Sequence, residues 1–130
     1  MHANEELLRR EYEAFAAADL GTLADIFTDD IVYHIPGRNP LSGTYVGKDE
    51  VFSLFRRDRT VSFESELHDV IANDTHAVAL TFVNARVGDI RYSDLTVHVV
   101  HVEDGRISEA WFFPGDQFAA DELWSLSSGE

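Results

Sequence analysis

The chain contains no cysteine. Disulfides and thiolate metal sites are therefore excluded, and redox chemistry says nothing about the compartment. Proline is scarce, with three in 130 residues, and each one falls at a break between apolar runs. Basic residues are few: ten Lys and Arg against 24 Asp and Glu leave a formal charge of −14. A field of that sign repels phosphate backbones and anionic lipids, so neither a nucleic-acid nor a membrane partner is expected. It favours solubility without identifying a substrate. No apolar run approaches the roughly 20 residues of a membrane span. The start, MHANEELLRR, lacks the apolar centre of a signal peptide, so a soluble cytoplasmic protein is expected. Glycine-rich phosphate loops, dinucleotide fingerprints and a Ser-His-Asp arrangement are missing too.

What is present suits a globular domain. Hydrophobic residues make up 45% and aromatics 12%, which argues against disorder. A chain of this length can bury about two-thirds of its unfolded surface in one domain. With no linker, repeat or low-complexity segment, one domain over residues 1–126 and a tail over 127–130 are expected.

Asn4 is placed to cap a first helix, with Glu5 and Glu6 at the positive end of its dipole. Leu8, Tyr12 and Phe15 recur at helical spacing, flanked by Leu7 and Ala18, and Ala16 to Ala18 carry the helix to Asp19. Asp19 caps a short second helix with Leu20, Leu23, Ile26 and Phe27, broken at Thr28-Asp29-Asp30. Ile31 to Pro36 reads as a first strand and Thr44-Tyr45-Val46 as a brief second one. Gly47 opens a third helix through Val51, Phe52, Leu54 and Phe55, closed by Arg56, Arg57 and Arg59. From Thr60 the period becomes two, with turns at Asn73-Asp74 and Gly88-Asp89. Asp116, after Pro114-Gly115, caps a last helix with Phe118, Leu123 and Trp124.

The stretch Tyr92 to Phe113 has the strongest pattern. Two apolar runs meet at Glu103-Asp104-Gly105, a hairpin signal because the turn needs positive φ. Asp94, Thr96, His98 and Val100 share one face of the first strand. On the second, Ser108, Ala110 and Phe112 oppose Ile107, Glu109, Trp111 and Phe113. Both faces are largely apolar, so this hairpin is expected to be covered on both sides. Helices gathered on one face of an antiparallel sheet make an α+β domain, with room for a cavity between the layers.

Particular residues resemble a known family. Glu11-Tyr12-Glu13-Ala14-Phe15, Ala18-Asp19-Leu20 and Phe27-Thr28-Asp29-Asp30 resemble the opening of the nuclear-transport-factor-two-like superfamily. Ile31 to Gly37, Gly43 to Gly47, Glu66 to Val70, and Asp104 to Ile107 with Glu109-Ala110-Trp111 are similar to SnoaL-like domains. The resemblance spans nearly the whole chain. It implies a cystatin-like α+β roll: a curved antiparallel sheet with three N-terminal helices forming a cone. It also implies an apolar polyketide- or steroid-like ligand and cofactor-free cyclase, isomerase or hydrolase chemistry. In SnoaL-type cyclases a His on the penultimate strand and an Asp after the Trp of the last strand face the pocket; His98 matches the first, but Phe112 replaces the second. Ketosteroid isomerases carry their base where this chain has Ile35. Their oxyanion-hole Asp matches His98, and their Tyr donor falls near Glu11 or Tyr12. Neither constellation is complete, so a non-catalytic ligand-binding or dimerisation domain stands beside the enzyme reading.

His98 is the leading catalytic candidate, able to donate, accept or titrate near neutrality. The bland reading, a core histidine satisfied by a carbonyl or an aromatic hydroxyl, stands level with it. Tyr33 shares the face of Ile35, so its hydroxyl is a second catalytic candidate beside its reading as pocket lining. Asp94 shares the face of His98 but lies roughly 13 Å along the strand, which makes it a weaker candidate or a rim carboxylate. Tyr12, Phe15, Ile35, Phe55, Phe82, Ala110 and Phe112 are candidates for an apolar ligand wall, or simply core. His34 alternates with Tyr33, and His101 with His98, so no metal site is expected. No cofactor is expected either. Trp111 and Phe113, facing away from Phe112, predict an apolar outer sheet face and a two-fold homodimer through it.

Overall fold

Local chemistry decides where each element starts. A computed structural model of the chain describes residues 1–55 and 62–127. Helix α1 spans Ala3–Ala16, α2 Leu20–Ile26, α3 Lys48–Phe55 and α4 Gln117–Ser127. The strands are β1 Phe27–Ile35, β2 Gly43–Val46, β3 Ser62–Ala72, β4 His76–Val87, β5 Ile90–Glu103 and β6 Arg106–Pro114. Asp19 caps α2 by accepting the Thr22 amide at 3.1 Å, and Asp116 caps α4 by accepting the Ala119 amide at 3.0 Å. At α1 the cap is His2, whose Nδ1 accepts the Asn4 amide at 3.0 Å. Asn4 is therefore inside the helix, where its Nδ2 donates to the Asn73 carbonyl at 2.9 Å and ties α1 to the β3–β4 turn. The β5–β6 turn carries positive φ at Asp104 and Gly105, the left-handed pair that suits the twist of a two-residue hairpin.

The fold is α+β, with a curved six-stranded sheet ordered β2-β1-β6-β5-β4-β3. The pairing is not all antiparallel as expected. β1 runs parallel to β6, with Tyr33 opposite Ala110 and His34 opposite Trp111, so the sheet is mixed. Side-chain alternation fixes faces but carries no information on strand order, and β1 inserts beside the C-terminal hairpin. Strand β1 also begins earlier than expected, at Phe27, taking Thr28-Asp29-Asp30 into the extended chain.

Register shifts curve the sheet between Phe27 and Val32, between Leu67 and Asp69, and between His101 and Val102. The last of these corrects the parity reading of β6. His101 pairs with Glu109 and Val102 with Ile107, which leaves Ser108 as the extra residue. Ile107 and Ala110 thus both point inward and are fully buried.

Helices α1 to α3 cover the inner face around Leu8, Leu23, Ile26, Phe27, Ile31 and Val51. Helix α4 caps a separate cluster of Val83, Ala85, Tyr92, Ala120 and Leu123 at the other end of the sheet. Among the described residues, no helix packs on the opposite face. Ile71, Phe82, Leu95 and Phe113 stand exposed on it or at its margin, so the cover expected on both sides of the hairpin is supplied by the described residues on its inner side alone. Among the described residues no helix is long and apolar enough to cross a membrane. The expected closure of α3 by Arg56, Arg57 and Arg59, the start of alternation at Thr60, and the tail beyond Ser127 lie outside the described residues.

Candidate functional site

Helix α1 does not bury the stripe its apolar residues suggest. The buried positions are Asn4, Leu7, Leu8, Glu11 and Ala14, an i, i+3, i+4 face on which a carboxylate sits. Phe15 is rotated out to 47% exposure. Glu11 is 4% exposed, and it is the residue that sequence reasoning missed. The available signal was its place between Leu8 and Ala14 on a single helical face.

Opposite α1, the inner faces of β1, β4 and β5 present Tyr33, Thr81 and His98. The Tyr33 hydroxyl donates to Glu11 Oε2 at 2.8 Å. Thr81 Oγ1 donates to the Tyr12 hydroxyl at 3.0 Å, and that hydroxyl lies 2.9 Å from His98 Nδ1. Running the protons in this direction gives every hydroxyl hydrogen an acceptor, so Nδ1 accepts and the ring proton sits on Nε2. Two atoms of this network are buried with no hydrogen-bond partner among the described residues, Glu11 Oε1 and His98 Nε2. Such groups are costly to strand in an apolar interior and mark a place where a partner is wanted.

Burial sets the proton affinities. Desolvation raises the Glu11 carboxyl from its ordinary 4.5 to about 7, against the opposing pull of the Tyr33 hydroxyl. Desolvation also lowers His98 from 6.5 to about 3. Tyr33 is raised well above its ordinary value, first by burial and then by the neighbouring Glu11 charge. Glu11 Oε1 lies 4.0 Å from His98 Nδ1; with the imidazole neutral this contact is not an ion pair. The arrangement offers a carboxyl poised near neutrality, able to take or give a proton, beside a neutral N–H donor.

The walls are aromatic. Phe112 stacks on His98 with ring centroids 4.2 Å apart and planes at 16°, and it touches Tyr33 at 5.5 Å. Phe55 meets Tyr33 at 5.6 Å and Phe15 at 5.2 Å, both edge-on. Ile35 packs against the same core, and Ala110 is fully buried in it. Tyr12, Tyr33, Ile35, Phe55, Ala110, Phe112 and His98 therefore lie in or against one inner cluster, with Phe15 at its margin.

Two candidates fall elsewhere. Phe82 points to the outer sheet face, 42% exposed, with its ring edge-on to His68 at 5.1 Å. The alternation of β4 that buries Ala79, Thr81 and Val83 turns Phe82 away. Asp94 belongs to the α4 end of the sheet. Its Oδ2 accepts the Tyr92 hydroxyl at 2.5 Å and the Asp116 amide at 2.8 Å, so it fastens β5 to the turn before α4. His98 is 3% exposed, so it is shut from solvent in this conformation. Among the described residues no group of three or more His, Asp or Glu is placed to hold a metal ion.

A family model described as SnoaL-like domain matches residues 8–110. An uncharacterised protein of Mycobacterium tuberculosis is 30% identical over 130 residues, covering 95% of this chain and 97% of the relative. Bal32a, from a soil-derived mobile gene cassette, superposes with a TM-score of 0.86 at 28% identity, over 94% of this chain and 96% of its own. An LEH-like epoxide hydrolase of M. tuberculosis has the same fold at a TM-score of 0.71 and 21% identity, over 95% of this chain and 92% of its own.

Proposed function

The chain belongs to the SnoaL-like domain family, and on that premise we propose that it binds an apolar, oxygen-bearing small molecule between α1 and the inner sheet face and catalyses cofactor-free proton transfer on it. A polyketide- or steroid-like carbonyl compound fits the aromatic walls. The observation that carries this reading is the pair of buried, partnerless atoms, Glu11 Oε1 and His98 Nε2. In this mechanism the ionised Glu11 removes a proton from the carbon beside the carbonyl. His98 Nε2–H donates to the carbonyl oxygen as it gains charge, and Glu11 then returns the proton to another carbon or oxygen. A neutral imidazole suits the donor role because it keeps its proton while stabilising the enolate. Tyr33 holds the Glu11 carboxyl in place, and Tyr12 with Thr81 holds the imidazole. The fold neighbour described as an epoxide hydrolase suggests the hydration variant, in which Glu11 would activate water instead.

The rival is a non-catalytic ligand-binding or dimerisation domain. It is favoured by Phe112 lying flat on His98 and closing the network. Deuterium incorporation into a panel of cyclic ketones, followed by NMR, separates the two. The enzyme reading expects exchange at the α-carbon with the native chain and a loss of about 100-fold or more in Glu11→Gln. Binding without exchange supports the rival, and exchange that survives in Glu11→Gln removes Glu11 from the mechanism. The outer sheet face, with Phe82 and Leu95 exposed, supports the proposal of a two-fold homodimer through it.

A further inference from the structure

A second polar cluster lies outside the cone, where the ends of β1, β2 and β6 meet. His34 Nε2 is 2.5 Å from Glu109 Oε2, and the imidazole stacks on the Trp111 indole with centroids 5.5 Å apart and planes at 14°. Among the described residues the remaining ring nitrogen, Nδ1, has one loose neighbour, Thr44 Oγ1 at 3.4 Å. These groups border a surface depression of about 390 Å³ whose other walls include Ile35, Phe112 and Phe113. Its rim at Gly43 is open, since a Cβ built there would meet nothing within 4 Å.

We propose that this depression is a binding site for a planar aromatic molecule carrying a hydroxyl group, a phenol or a stable enol, with the ring against Trp111 and the hydroxyl donating to His34 Nδ1. Three features argue for that class. The size suits a one- or two-ring molecule, near the lower end of small-molecule sites. Glu109 fixes the tautomer of His34: its carboxylate accepts from Nε2–H, which leaves Nδ1 as a lone-pair acceptor on a residue that lines the depression. An acceptor there selects ligands that donate, and the long Thr44 contact is weak enough for a ligand hydroxyl to replace. The walls supply flat apolar area on Trp111 and Phe113, where a ring stacks or meets an edge. The site shares Ile35 and Phe112 with the wall of the Glu11–His98 network, but its polar groups, His34 and Glu109, are not bonded to that network, so it stands whether or not the network is catalytic.

The test uses the two tryptophans of the chain. In a Trp124→Phe variant Trp111 becomes the sole indole reporter, and its fluorescence follows titration with 2-naphthol, 2-methoxynaphthalene and naphthalene. Calorimetry with the native chain repeats the series without any substitution. We expect 2-naphthol to bind about fivefold tighter than its methyl ether, the worth of one net hydrogen bond. His34→Leu should erase that preference while the ring still quenches Trp111. Equal affinity for the three compounds, a preference that persists in His34→Leu, or no binding at all would each overturn the proposal. So would NMR shifts from 2-naphthol centred on the His98 ring with His34 unmoved, an outcome that would place the ligand in the cone instead.

Discussion

Replacing Glu11 by Gln keeps an oxygen to accept from Tyr33 and removes only the ionisation. Burial raises the carboxyl from 4.5 to about 7, so the folded chain holds this proton more tightly than the unfolded one. The sign follows from linkage: the contribution is complete below pH 4.5 and is lost as pH rises through 7. At about 1.4 kcal/mol per tenfold change in proton affinity, the loss amounts to about 3 kcal/mol. His98 runs the other way, because its folded value is lowered from 6.5 to about 3. Its contribution is present above pH 6.5 and disappears as pH falls through 3. Between 4.5 and 6.5 the two slopes oppose each other, which flattens the native profile and hides both. Urea unfolding of the native and Glu11→Gln chains in steps from about pH 4 to 8.5 separates them, because every other titrating group cancels in the difference. The Gln chain should gain about 3 kcal/mol relative to the native one across that range. A difference that stays constant with pH, or shrinks as pH rises, would refute a buried, proton-holding Glu11.

Tyr12→Phe removes the donor to His98 Nδ1 and strands that nitrogen, so the unfolding free energy from urea melts should fall by about 1–3 kcal/mol at pH 7; an unchanged free energy would mean the hydrogen bond is not formed. Gly37→Ala combines a φ of +88° with a Cβ driven into Asp121 and Gln117. It should lower stability by about 1–3 kcal/mol, read from a thermal melt, with the loss reduced when Asp121 is also changed to Ala. Leu95→Glu, on the exposed outer sheet face, should convert the proposed homodimer to a monomer in sedimentation velocity while leaving the circular dichroism spectrum intact; a native chain that already sediments as a monomer would remove the dimer.

Much of the architecture was legible because periodicity and turn chemistry are local. The Asp104-Gly105 turn, the Asp19 and Asp116 caps and the inward face of His98 follow from patterns a few residues long. The parallel β1–β6 pair is not local, and nothing in either strand names its neighbour. The bulge at Ser108 brought Ile107 to the inner face for the same reason, since one extra residue resets the alternation without leaving a mark in composition. Phe82 was assigned to the wall on its aromatic character, although strict alternation from Thr81 already put it outside. Glu11 was missed because a charged residue is discounted when an apolar stripe is traced, and its burial depends on Tyr33 arriving from another element.

The order of the sheet has a consequence for how the protein comes into being. Val32 on β1 lies opposite Glu109 on β6, 77 positions further along the chain. As the polypeptide leaves the ribosome, β1 must wait for the last hairpin before its inner edge can pair. Until then β1 is paired with β2 alone. Distant pairings of this kind slow folding, because loop closure is paid for before contacts reward it. Glu11, Tyr12 and Tyr33 come from the early segment, while Thr81, His98 and Phe112 come from the late one. The Tyr12–Thr81–His98 part of the buried network is therefore assembled only once β4 and β5 have docked, and a chain that stops before β4 can form only the Tyr33–Glu11 bond.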